Sequence, residues 1–323
     1  MKKLLASFLT FSLLAVSCNF LTRAATPAPS NTPDIFDTST PTPFLLNTPD
    51  PINTLPPSDI PNILDTPWDD FSIFKDGLVP SAQPALDKLK SRSVYHIELN
   101  IADNLYEIAG KQDVRYTNNE DIPLTEIHFR LFPNILGGEM QISNLNVDGV
   151  SVQPRYSLRN SVMIVPLAQS LEPGKSIIIH MDFSVTVPQS VDLNYGVLAY
   201  ADNVLALAHA YPMIAVYNDE GWNEEIPPQS GDVAFADASF YLARVTAPKN
   251  VTVVTSGRTI SAAQAGQVQI LNEASGPARD FYLAASPDYE ETSQTFGEVT
   301  IRSFAPKYLA KGSQAVDIAV SRN

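Results

Sequence analysis

From Ser176 to Val187 the chain reads SIIIHMDFSVTV, and Ile177, Ile179, Met181, Phe183, Val185 and Val187 occupy every second position. Side chains alternate between faces only in an extended strand, so this run specifies a strand with one face in a core. The same period recurs elsewhere. In HIELNI, Ile97, Leu99 and Ile101 alternate with Glu98 and Asn100. In TEIHFRLF, Ile127, Phe129 and Leu131 face one way and Glu126, His128 and Arg130 the other. LNVDGVSVQ sets Asp148-Gly149 between two alternating runs, which fits a two-residue hairpin turn because glycine accepts positive φ. Pro173-Gly174 is a second turn signal. Further strands are expected at Ser239–Thr246, Val251–Thr255, Val268–Leu271 and Phe281–Ala285. Many short strands with regular turns predict an all-β, mostly antiparallel, sandwich-like domain over residues 92–303, long enough to bury a sizeable core.

What precedes that domain has a different texture. Lys2 and Lys3 give a basic start, and Leu4 to Val16 form an apolar run too short to span a bilayer as a mature helix. This reads as a secretory signal over residues 1–18. Its end, Leu14-Ala15-Val16-Ser17-Cys18, resembles the lipobox of bacterial lipoproteins, in which the cysteine is acylated. The resemblance implies a lipid anchor at Cys18 and an exported protein on the extracytoplasmic face of a bacterial membrane. The alternative is cleavage nearby with Cys18 an ordinary residue of the apolar run. Cys18 is the only cysteine, so no internal disulfide is available. Between Ala24 and Pro67 lie eleven of the 26 prolines, and no Lys or Arg occurs from Ala24 to Phe74 while seven Asp do. Such a segment cannot bury a core, so residues 19–91 are expected to be a disordered tether. A short helix from Pro84 to Lys90 is expected to lead into the domain.

Three segments together resemble the N-terminal domain of zinc aminopeptidases of the aminopeptidase N family. The first runs from Tyr95 to Asn134: an opening strand, a turn into Ile108-Ala109-Gly110, a strand ending in Tyr-Thr-Asn and one ending in Leu-Phe-Pro. The second is AYPMIAVYNDEGWNEE, Ala210 to Glu225. The third is ASFYLARVTAPKNVTVVTSG, Ala238 to Gly257, with ARDFYLAAS, Ala278 to Ser286. In that family the domain is a saddle-shaped β structure that packs on a thermolysin-like catalytic domain and helps close the active-site cleft. The resemblance therefore implies a non-catalytic part that frames a peptide-binding cleft, with zinc expected in a catalytic domain absent from this chain. Residues 304–323 are expected to be the start of that domain, turning helical after Gly312, where Ala315, Ile318 and Ala319 share a face. The chain is read as a fragment.

The sequence holds no H-E-x-x-H, in which two histidines one helical turn apart hold zinc around a glutamate base. Its histidines, His96, His128, His180 and His209, have no metal-ligand spacing, so no catalytic residue, metal ligand or cofactor is assigned to this chain. There is no G-x-S-x-G elbow and no phosphate-cradling glycine loop. The net charge of −14 argues against nucleic acid as a partner. Candidate substrate-binding residues are His209, Tyr211, Asp219, Glu220 and Trp222. Asn218 to Glu225 is read either as a loop at a cleft mouth, touching a peptide amine or Ca²⁺, or as a solvated loop with Trp222 as packing anchor. Arg279-Asp280 reads as a local charge pair. If the domain docks on a missing partner, apolar side chains are expected to be exposed near Tyr211, Tyr217 or Trp222. The rival functional reading is a stand-alone, stalked β-sandwich module binding carbohydrate or protein at the cell surface.

Overall fold

The computed structural model describes residues 61–227, 234–296 and 299–309. The expected signal, the acylation site at Cys18, the first part of the tether and the helix expected after Gly312 lie outside the described residues. In chain order the strands are β1 (Val94–Ile101), β2 (Glu107–Thr117), β3 (Leu124–Arg130), β4 (Glu139–Val147), β5 (Val150–Ser151), β6 (Arg155–Ser157) and β7 (Val162–Leu171). There follow β8 (Ser176–Thr186), β9 (Leu198–Ala201), β10 (Val204–Leu207), β11 (Met213–Ile214), β12 (Tyr217–Asn218) and β13 (Gly221–Trp222). The last are β14 (Ser239–Pro248), β15 (Thr252–Thr255), β16 (Arg258–Ala265), β17 (Val268–Ala278), β18 (Leu283–Ser286), β19 (Tyr289–Phe296) and β20 (Val299–Pro306).

The fold is all-β. An eight-stranded sheet has the order β16-β17-β14-β1-β2-β8-β4-β5, and two four-stranded sheets have the orders β15-β18-β10-β9 and β11-β3-β7-β6. All pairings among the described strands are antiparallel except β1 with β14, which run parallel from Val94↔Phe240 to Asn100↔Thr246. That single parallel join couples the amino-terminal half of the large sheet to its carboxy-terminal half. The expected β8 face is realised: Ile179, Met181, Phe183, Val185 and Val187 are buried in one continuous core with Ile97, Leu99 and Ile101 of β1. Asp148 and Gly149 both take positive φ, +47° and +80°, in the two-residue turn closing Val147 on Val150. Gly110 answers a different need. A Cβ there would lie 2.1 Å from Cζ of Phe183, so the ring fills the space a side chain would take.

The expected tether does not extend to residue 91, because residues 61–91 are folded onto the domain. They make three short 3-10 turns, Ile63–Asp65, Ser72–Gly77 and Gln83–Lys88, the last standing where a helix was expected. Ile63, Phe71, Phe74 and Leu86 are buried against Val94, Phe240, Leu242 and Ala274, a second core on the outer face of the large sheet. Each such side chain contributes about 1.5–3 kcal/mol by leaving water. Phe71 meets Phe240 edge-on at 4.8 Å. Strand side chains also capture strap carbonyls: Arg115 donates to Trp68 O (2.7 Å) and Lys90 O (2.9 Å), and Arg244 and Asn272 donate to Pro61 O. The apolar residues are spaced irregularly, so neither a helical nor a strand period betrays them.

On β3 the face opposite Ile127 and Phe129 is also covered: His128 and Arg130 are buried. At the other end, β20 continues through Pro306, so the expected boundary at residue 304 falls inside a strand.

Candidate functional site

The segment from His209 to Glu225 threads between two polar clusters and positions every predicted site residue except Cys18. At its start, His209 has φ +54°, which turns its backbone N–H toward Asp280, and that N–H donates to Asp280 Oδ2 at 3.1 Å. The His209 Nδ1 lies 2.9 Å from the same oxygen, off the line of a directed hydrogen bond. Tyr211 donates its hydroxyl to Asp280 Oδ1 (2.9 Å) and accepts from Phe281 N–H (3.2 Å). Asp280 is therefore not a local partner of Arg279. It is the acceptor at which β18 is tied to the segment entering β11.

Aromatic rings close this cluster. Tyr95 stacks on Tyr241 at 5.1 Å, and Tyr211 meets both rings edge-on at 5.7 and 5.8 Å. The Tyr95 hydroxyl accepts from Ile214 N–H at 3.0 Å. Burial pushes the Tyr95 and Tyr211 hydroxyls far above their ordinary values, so both stay protonated donors. Tyr211 is thus a core residue, closed to an external ligand, and the apolar exposure expected beside it is not found there.

The segment then runs as β11 beside β3, Met213 opposite Arg130 and Ile214 opposite Phe129, and Ala215 N–H donates to His128 O. Beyond it, Tyr217 and Asn218 pair with Trp222 and Gly221 in a hairpin whose tip is Asp219-Glu220. Both acidic residues at the tip are exposed. Trp222 lies flat on the His128 imidazole, 5.2 Å between centroids and 13° between planes. His128 has Glu224 Oε1 2.6 Å from Nδ1 and Glu126 Oε1 2.9 Å from Nε2. The two glutamates therefore bracket the imidazole, one carboxylate oxygen at each ring nitrogen. Glu126 also accepts from Arg155, and Arg130 donates to the carbonyls of Glu225 (2.9 Å) and Asn223 (3.4 Å). This partly buried polar network holds Trp222–Glu225 on the outer face of β3 and explains why His128 and Arg130 are covered. Tyr217 and Trp222 are half-buried rather than exposed.

Between the hairpin and the large sheet a recess of about 30 Å³ is lined by Arg92, Tyr116, Glu120, Tyr217 and Asp237 among others. It is the size of a single water, too small for an amino-acid side chain. Burial, reinforced by Asp237 and Asp121, raises the Glu120 carboxyl above its ordinary value. Among the described residues no group of three or more His, Cys, Asp or Glu is arranged to hold a metal ion. The structure thus gathers His209 and Tyr211 at Asp280, gathers Asp219, Glu220 and Trp222 at the hairpin, and keeps the two groups apart. Asp280 and Glu224 had no distinguishing spacing in sequence, because their partners lie 69 to 96 positions away, and Glu126 and His128 show only the ordinary alternation of a strand.

No protein-family model matches the chain, and no curated protein matches it. Similar solved structures include an M1 zinc metallopeptidase from Deinococcus radiodurans, at 14% identity and TM-score 0.44, covering 66% of this chain and 46% of that one. A mutant of that metallopeptidase bound to a Tyr-Ser-Ala substrate matches at 15% identity and TM-score 0.46, with the same coverage of 66% and 46%. A mutant two-domain M1 zinc metallopeptidase bound to L-arginine matches at 15% identity and TM-score 0.48, covering 69% of this chain and 49% of that one. The chain spans about half the length of these structures, 46% to 49%.

Proposed function

We propose that this chain is the non-catalytic N-terminal β domain of a surface-anchored, zinc aminopeptidase-like protein, and that it frames a peptide-binding cleft whose catalytic residues lie in sequence beyond it. One observation carries the reading. The segments that resemble the aminopeptidase N family, far apart in sequence, meet in one buried cluster: Tyr95 from the first, Tyr211 from the second, Tyr241 and Asp280 from the third. A shared tertiary unit is what a common fold requires of motifs that are individually unspecific. In this reading Cys18 carries the lipid, residues up to about 60 are the tether, and zinc and its base are supplied elsewhere. Hydrolysis of N-terminal residues from peptides is the activity expected of the whole protein.

The deciding experiment is the nucleotide sequence after the codon for Asn323. An in-frame H-E-x-x-H supports the reading, and a stop codon there overturns it. This chain incubated with zinc and aminoacyl substrates should show no turnover, and chelator-sensitive turnover would also overturn it. A Cys18→Ser variant should move from the membrane to the soluble fraction. Retention on the membrane would remove the anchor from the reading.

A further inference from the structure

The outer face of the large sheet carries a histidine in an unusual position. His96 lies on β1 between Val94 and Glu98, facing away from the main core and toward the strap. Its ring stacks on Trp68 at 3.8 Å and 15°, and it is buried. Its Nε2 has no hydrogen-bond partner. Its neighbour on β14 in register is the apolar Leu242, and its neighbour on β2 is Asp113, whose carboxylate also accepts from His180 Nδ1 at 2.9 Å. Other charged groups on this face are Glu98 on β1, Arg115 on β2, Arg244 of β14 opposite Glu98, and Asp65 on the strap, and the Leu64 backbone is within hydrogen-bonding reach of the ring.

We propose that residues 61–91 form an acid-releasable strap on the large sheet, and that protonation of His96 is the event that opens it. The closed strap seals His96 with an unpaired ring nitrogen. Adding a proton puts a charge with little water on the buried ring, where Nε2 has no hydrogen-bond partner in the closed structure and only the Leu64 backbone lies in reach as an acceptor, a combination folded proteins avoid. Burial accordingly pushes the His96 imidazole down from 6.5 to about 4, against the opposing pull of Asp113, the Leu64 backbone and Asp65. When the strap lifts, the ring reaches water and returns to its ordinary value. The sign follows: the closed state binds a proton more weakly than the open one, so closure is fully favoured above about 6.5 and is lost as pH falls toward about 4. A difference of this size lowers the closing equilibrium by up to about 300-fold. Release would bare Val94, Phe240, Leu242 and Ala274, an apolar face, at the root of the chain's amino-terminal segment.

Hydrogen exchange of the full chain, read by mass spectrometry between pH 7.5 and pH 4.5 and corrected for intrinsic rates, tests this. The expected result is a strong acid-dependent loss of protection in peptides covering residues 61–91 while β2 and β8 stay protected. In His96→Gln, strap exchange should become independent of pH, whether the strap is then closed or open. Acid-dependent opening that survives the substitution overturns the proposal, as does a strap that keeps its protection at pH 4.5 or opens only together with β2 and β8. Should His96→Gln fail to fold, the ¹H–¹⁵N titration of His96 in the unsubstituted chain decides: a midpoint between about 4 and 6.5 that coincides with loss of strap protection supports the proposal, and a midpoint near 4 with the strap still protected, or one at or above 6.5, overturns it.

Discussion

Asp280→Ala is predicted to be among the most damaging single substitutions at the surface of this domain, although in sequence the residue looks like half of an unremarkable Arg-Asp pair. Its carboxylate accepts from the Tyr211 hydroxyl at 2.9 Å and from the His209 N–H at 3.1 Å. Its side chain keeps 18% of its exposure, so water can replace it at His209, but Tyr211 is only 2% exposed and its hydroxyl is less easily resolvated. A hydrogen bond to a charged group contributes about 1.5–3 kcal/mol, and the two share one acceptor, so their sum is an upper bound. The expected loss is about 3–4 kcal/mol, weighted to the Tyr211 bond. For a domain of this size that corresponds to a fall in Tm of roughly 6–15 °C.

Urea unfolding followed by circular dichroism measures this directly. Asp280→Asn keeps an oxygen for Tyr211 and should lose about half as much. Arg279→Ala should stay within about 0.5 kcal/mol, because Arg279 is exposed and has no ion pair among the described residues. A double-mutant cycle with Tyr211→Phe should return a coupling of about 1–3 kcal/mol. If Asp280→Ala costs less than about 1 kcal/mol and the coupling is near zero, the buried acceptor is not what joins β18 to the segment entering β11, and the account of this cluster is wrong.

Two other residues make sharp predictions. Glu273 is buried, and burial raises its carboxyl above the ordinary value against the opposing hydroxyls of Thr259 and Thr255. The native state therefore holds that proton more tightly than the unfolded state, and Glu273 weakens the fold as pH rises from about 4.5 through the raised value. Glu273→Gln should flatten this part of the pH–stability curve and raise the urea midpoint at pH 7; an unchanged slope between pH 4.5 and pH 7 would refute the assignment. His128→Phe keeps a ring against Trp222 but leaves Glu126 and Glu224 without the imidazole nitrogens that join them. Hydrogen exchange at Tyr217–Trp222 should rise by about tenfold, and equal protection in the variant would show that stacking alone holds the hairpin.

The contrast between what the sequence disclosed and what it hid has a physical origin. Residues 177–187 declare themselves because one face of β8 meets a core and the other does not, and Asp148-Gly149 because a two-residue turn needs positive φ. These are local requirements, readable within a few residues. The strap was misread because its apolar residues, Ile63, Phe71, Phe74 and Leu86, follow no period, and because its prolines suit 3-10 turns as well as they suit an unfolded tether. The cover over the polar face of β3 is hidden for the complementary reason. Glu126, His128 and Arg130 do alternate with apolar residues, but Glu224 and two backbone carbonyls arrive from nearly 100 positions away to cover them.

Both histidines that pack on a tryptophan show how the same residue pair is put to different use by its surroundings. His128 is offered carboxylates at both nitrogens beside Trp222, while His96 beside Trp68 has an orphaned nitrogen and is driven toward the neutral form. Each histidine has a glutamate two residues away, Glu126 for His128 and Glu98 for His96, so local spacing does not separate the two outcomes. One ring fastens a hairpin through the carboxylates that bracket it, and the other fastens the strap by staying neutral. Acidification should therefore loosen the strap through His96. Loss of strap protection only together with the Tyr217–Trp222 hairpin would mean that His96 does not govern its own segment.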